Sequence, residues 1–184
     1  MVVIFDGLVG KSLWLFIHLP TLEASHNPYF MKRVSLFFAI VLSISVAYGQ
    51  ADEAERKRNF NTENFVALRE FDPVSYFQNR PKKGTSSFEA KHRGIIYYFA
   101  NAENLEEFRK SPSKYEPAYG GWCAYTVAQS GERVKILPTS YKIIDGRLYM
   151  FYNFGGEDRL RKWNSGNEKS LKAAADKNWL RHMH

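Results

Sequence analysis

The chain has 184 residues, 45% of them hydrophobic, 24% charged and 16% aromatic, with a formal net charge of +7. That balance belongs to a globular protein of about one domain and excludes disordered, collagen-like and coiled-coil chains. A mean hydropathy of −0.42 excludes a polytopic membrane protein, and the single cysteine excludes an intramolecular disulfide framework.

Near the N-terminus, Met31-Lys32-Arg33 precedes an uncharged run from Val34 to Val46, followed by Ala47-Tyr48-Gly49-Gln50. A basic start, an apolar run short of the roughly 20 residues a bilayer needs, and small residues at Ala47 and Gly49 have the form of a secretory signal peptide. The sequence therefore predicts a protein exported to a periplasmic or extracellular space. On this reading Met31 is the start, residues 31–49 are the signal peptide, Gln50 is the first mature residue, and residues 1–30 are a mis-called extension. A membrane anchor using Leu13 to Leu19 and Val34 to Val46 is the competing reading, whereas signal cleavage leaves no stable membrane insertion. Basic clusters such as Arg56-Lys57-Arg58 and Arg159-Leu160-Arg161-Lys162 are short and scattered. They read as solvated faces, so nucleic acid is not an expected partner.

Residues 50–70 are charge-dense and read as a mobile or weakly helical lead-in to a domain spanning 71–184. Asp72-Pro73 opens a short turn or helix, because Asp accepts free amides at an N-terminus and Pro loses nothing at the first helical position. Pro81 to Gly84 reads as a loop. Ser87 to Ala90 and Ile95 to Ala100 are strands around a turn at Lys91-His92-Arg93-Gly94, and Ile95-Ile96-Tyr97-Tyr98-Phe99 is apolar on both faces, which predicts a strand covered on each side. Asn101 caps a helix carrying Leu105 and Phe108, stopped by Pro112. A second hairpin, Tyr141 to Ile144 and Arg147 to Tyr152, closes on Asp145-Gly146. The end is helical, with Leu160 and Trp163 in one piece and Leu171, Ala174, Ala175 and Trp179 on one stripe of the other. Together these elements predict a small α+β domain: two β-hairpins forming an antiparallel sheet, packed helices, and helices at the C-terminus.

The order of Phe71-Asp72-Pro73-Val74-Ser75-Tyr76-Phe77, Ile96-Tyr97-Tyr98-Phe99-Ala100-Asn101-Ala102-Glu103-Asn104, Pro112-Ser113-Lys114-Tyr115 and Pro117 to Tyr125 resembles the YHS domain family, in particular its single-cysteine, exported branch. The resemblance implies a small α+β domain and a binding role in which a metal ion, copper among them, has been proposed. Metal-binding members usually present two cysteines, whereas this chain has Cys123 alone and no histidine between Tyr115 and Cys123.

A thiolate at Cys123 would suit Cu(I) or Zn, and a hairpin that brought His92 beside it would make a mixed site. Against this stand a structural Cys123, buried between Trp122 and Ala124, and a thiol-dependent enzyme that needs an exposed Cys123. The segment Tyr115, Tyr119, Gly120, Gly121, Trp122 and Tyr125 either lines a pocket for a ring-shaped or apolar ligand or packs the core. His182 and His184 form a terminal His-x-His. Ser86, Ser87 and Ser130 lack a nucleophile-elbow context, and the glycine pairs lack a phosphate-binding pattern. The leading reading is a non-enzymatic exported binding domain for a metal ion; the second is an exported module that engages an envelope protein, with Cys123 structural. N-terminal sequencing of the exported protein is expected to start at Gln50, and a peptide from residues 1–30 in the mature form would overturn the assignment.

Overall fold

The computed structural model describes residues 28–183. Residues 1–27 of the expected extension, with His18, His26 and the stretch Leu13 to Leu19, and His184 lie outside the described residues. The chain divides into two compact units, Met1–Ala47 and Tyr48–His184. Helix α1 runs Pro28–Asn59. Within the first unit its Leu36, Phe38 and Leu42 are exposed. Among the described residues no helix is long and apolar enough to cross a membrane.

The second unit is an α+β domain, and it begins well before Phe71. The last turns of α1 hold Arg56, which is buried, and lead to Phe60, 9% exposed. Strands β1 (Thr62–Glu63) and β2 (Val66–Ala67) form a tight hairpin, and Val66, Ala67 and Leu68 are buried. The segment 50–70, expected as a lead-in, is thus built into the domain: Phe60, Val66, Ala67 and Leu68 join the core, and Asp52 and Glu53 pair with Arg93 and Lys91 of the hairpin that follows.

That hairpin consists of β3 (Thr85–His92) and β4 (Ile95–Phe99), turning on Arg93 and Gly94, both at positive φ. His92 therefore belongs to the strand rather than the turn. The sheet order is β1-β2-β4-β3, with β2 parallel to β4 through Val66 and Ile96. A second hairpin, β5 (Tyr141–Ile144) and β6 (Arg147–Met150), turns on Asp145 (φ 51°) and Gly146 (φ 73°), as its Asp-Gly pair dictates. The two hairpins occupy separate sheets instead of sharing one. A small third hairpin, β7 (Asn153–Phe154) with β8 (Glu157–Asp158), leads into the terminal helices.

Asp72 organises the first sheet. It caps α2 (Pro73–Phe77), its Oδ1 accepting from the Val74 and Ser75 amides at 2.8 and 3.3 Å. Its Oδ2 accepts from the Ala100 amide at 3.0 Å and from Asn104 Nδ2 at 2.6 Å. One fully buried carboxylate so joins α2, the end of β4 and α3 (Ala102–Lys110), which Asn101 caps and Leu105 and Phe108 anchor. Gly84 allows the chain to pass over β4: a Cβ there would lie 2.3 Å from the Tyr98 carbonyl carbon.

After α4 (Pro112–Tyr115), a short 3-10 turn leads to α5 (Ala124–Ser130). Helices α6 (Arg159–Ser165) and α7 (Glu168–Leu180) close the domain, with Trp163 and Ala175 fully buried. Replacing Asp72 by Ala leaves the Val74 and Ala100 amides and the Asn104 side chain without this acceptor, while the Ser75 amide keeps the Asp72 carbonyl at 3.2 Å; each donor left unmet costs about 1–3 kcal/mol when buried. Asp72→Ala is therefore expected to lower the unfolding free energy by about 3 kcal/mol or more, read by urea denaturation; a wild-type midpoint would remove Asp72 from this role.

Candidate functional site

The aromatic segment faces inward. Tyr115 packs edge-on against Phe77 at 5.1 Å, and its hydroxyl donates to Glu107 at 2.7 Å. Tyr119 sits against Tyr149 and Trp179 and donates to Asp176 at 3.0 Å; burial holds its phenol well above the ordinary range. The Trp122 indole donates to the Asn59 carbonyl at 2.6 Å. Gly120 and Gly121 are buried, and a Cβ on Gly120 (φ 59°) would come within 3.1 Å of both Trp179 and Phe60. The core has two hydrophobic clusters, one around Tyr97, Phe99 and Phe108 and one around Tyr119, Phe151 and Trp163, and the half-buried Tyr125 packs on both. Of the two readings open for these positions, a ligand pocket or core packing, their burial and ring contacts favour packing, and the protein itself supplies partners for the Tyr115, Tyr119 and Trp122 polar groups.

Cys123 is 0% exposed at the start of α5, its amide donating to the Val134 carbonyl at 3.0 Å. The Arg159 guanidinium, which bonds Thr126 and Glu157, is near enough for Cys123 to influence it. Burial opposes the charge on Arg159, but Glu157 and Cys123 outweigh it and hold the group charged. A fixed cation beside the only thiol repels a metal ion and supplies no lone pair.

His92 lies elsewhere, edge-on to Phe108, with Nε2 3.9 Å from Glu116 Oε2 and no hydrogen-bond partner among the described residues. Glu116 is occupied by Arg56 and by the Tyr97 hydroxyl at 2.6 Å. Burial is the main cause lowering the His92 pKa, reinforced by Arg56 and Arg93 and opposed by Glu116 and Asp52, so the fold favours the neutral ring. His182 is likewise committed, its Nε2 2.6 Å from the Gly131 carbonyl. Among the described residues no group of three His, Cys, Asp or Glu is placed to hold a metal ion. Among the described residues, Cys123 and His92 are not brought together as the donor set expected for copper or zinc.

What the sequence did not single out is the other face of the first sheet. β4 alternates: Ile95, Tyr97 and Phe99 are buried in the core, while Ile96 and Tyr98 are half-buried. The expected cover on both sides is present on one side only. Over Ile96 and Tyr98 opens a groove of about 500 Å³, walled by Val66, Phe71, Leu137 and Pro138. Its rim charges are self-paired, Lys83 with Glu70 at 3.0 Å and Arg69 with Glu63 at 3.8 Å.

The rim is strained. Asn64, Phe65, Leu68, Arg69 and Glu70, five non-glycine residues, all have φ between 52° and 71°. The left-handed region costs an ordinary residue roughly 1–2 kcal/mol, and such strain persists where the surroundings enforce it, often at binding sites. The clue in the sequence was Ile96 and Tyr98 themselves, two apolar residues on the second face of a strand whose first face already fills the core.

No family model matches the chain, no curated protein matches it, and no solved structure matches it. A thiol reagent is expected to leave the native protein unlabelled and to take up one equivalent on unfolding; stoichiometric labelling of the native state would refute the sealed Cys123.

Proposed function

We propose that the protein is an exported interaction module of YHS type, that its groove receives an uncharged apolar or aromatic side chain presented by an envelope protein, and that Cys123 is structural. The half-buried Ile96–Tyr98 face carries this reading. An apolar floor gains from desolvation by a partner at roughly 25 cal/mol per Å², and rim charges that already neutralise one another offer no attraction to an ion. The strained turns on the rim support it as well, since they fix Arg69 and Glu70 at the edge where a partner would be read.

The resemblance to the YHS family enters with a shift of emphasis. The motif residues Asp72, Asn101 and Asn104 are engaged in helix caps and the knot between elements. They would mark the fold rather than a ligand. Export is supported by Lys32-Arg33 ahead of the uncharged run, whose Leu36, Phe38 and Leu42 are exposed on α1.

A photoreactive aromatic residue placed at Tyr98 tests the reading in the exporting cell. A discrete protein adduct is expected from position 98 and none from Lys110 on α3, and introducing Ile96→Asp should abolish it. Equal labelling at both positions, or none at 98, would refute the groove as the contact surface.

A further inference from the structure

Strand β3 is the outer strand of its sheet, eight residues long, and its far edge is unpaired among the described residues. Exposed edges of this length are normally blunted or occupied. Here the hydrogen-bonding pattern fixes which groups are on offer. Lys91 stands opposite Ile96 and Glu89 opposite Tyr98. The Ile96 amide donates away from β3, to the Phe65 carbonyl at 2.9 Å. In an antiparallel ladder the residue opposite then also turns its N–H and C=O outward, so the backbone groups of Lys91, and by the two-residue period those of Glu89, face away from β4.

We infer that β3 pairs antiparallel with β3 of a second copy of this chain about a two-fold axis through Ala90. In that register, Glu89 of one copy stands opposite Lys91 of the other, and Lys91 opposite Glu89. The backbone groups that point outward are the ones this register bonds. Two cross-strand ion pairs of opposite sign then lie on one face, and the contact is isologous, so it closes as a dimer.

The edge is open to a partner of this kind. Glu89 and Lys91 are exposed. Among the described residues Glu89 has no ion pair, and Lys91 meets only Glu53, at 2.9 Å and with 57% of its side chain exposed. α1 meets the hairpin at its turn, where Arg93 pairs with Asp52 and Gly94 is covered by Glu53 and Lys57. The register shift between Thr85 and Glu89 ends the regular pairing surface N-terminal to Glu89. The inference stands apart from what the groove binds.

Charge exchange tests it on the full chain by sedimentation over a range of concentrations. Glu89→Lys sets two lysines against each other at both cross-strand pairs, and Lys91→Glu sets two glutamates there; each alone is expected to weaken the dimer by about tenfold. Mixing these two variants gives a heterodimer in which both pairs set lysine against glutamate, so the mixture is expected to associate more tightly than either component alone, approaching wild type. The double exchange, Glu89→Lys with Lys91→Glu in one chain, restores opposite signs at both pairs and is expected to dimerise like wild type. Association through the exposed apolar residues of α1 would be indifferent to all of these changes. A monomeric wild type, single variants that associate as well as wild type, or a double exchange no tighter than the single variants would each overturn the inference. Both positions are exposed, and far-UV circular dichroism at matched concentration confirms that each variant is folded.

Discussion

The fold turns on a carboxylate that has no cation partner among the described residues. Asp72 is fully buried, and two backbone amides of α2, the Ala100 amide and the Asn104 side chain share its charge. Oriented donors can substitute for water only when all are in place together, because a buried charge with an unmet lone pair is costly. The arrangement therefore admits one relative placement of α2, the end of β4 and α3. Ser75 tightens it further by donating to the Asp72 carbonyl and accepting from the Lys82 amide. Since Lys82 leads directly to Gly84 and β3, the same knot sets where the hairpin begins.

Much of this was legible from local sequence. Asp72-Pro73, Asn101 with Glu103, and Asp145-Gly146 act through short-range chemistry, and each forms the cap or turn its residues dictate. The C-terminal stripe works for the same reason, burying Ala175 and placing Trp179 against Phe60 and Tyr119. The segment 50–70 was hidden because its structure is borrowed. Neither Thr62–Glu63 nor Val66–Ala67 is long enough to be a strand by itself, and the second becomes one by lying beside Ile96. His92 was hidden likewise. The hairpin turns on Arg93-Gly94, with positive φ at both positions, and this shortens the turn and draws the histidine into the strand.

The residues with the most evident chemistry are those the core has absorbed. A lone cysteine, a glycine pair and several aromatics suggest a site because such side chains can bind; they also fill space well, and a domain of this size has a limited core to fill. Tyr119 illustrates how the choice resolves. Its ring closes one cluster while its hydroxyl reaches Asp176, and with both ends engaged nothing remains to offer a ligand. Cys123 resolves the same way, sealed beside an arginine that itself answers to Glu157 and Tyr152.

On the proposed reading, recognition moves from the conspicuous segment to the sheet surface that the core leaves half-covered. The same cross-strand register that sets Ile96 beside Lys91 and Tyr98 beside Glu89 puts the groove floor and the charged edge strand on one face. A sheet extended across β3 would continue that face rather than create a new one, so each groove would stay open on the far side of its own β4. The strained turns at Asn64–Phe65 and Leu68–Glu70 border the groove at the opposite edge, where β2 meets β4 at Val66. The groove is thus bounded by sterically constrained backbone on one side, while the unpaired edge lies one strand beyond its floor, which is the arrangement that lets one surface hold its shape while a neighbour is added.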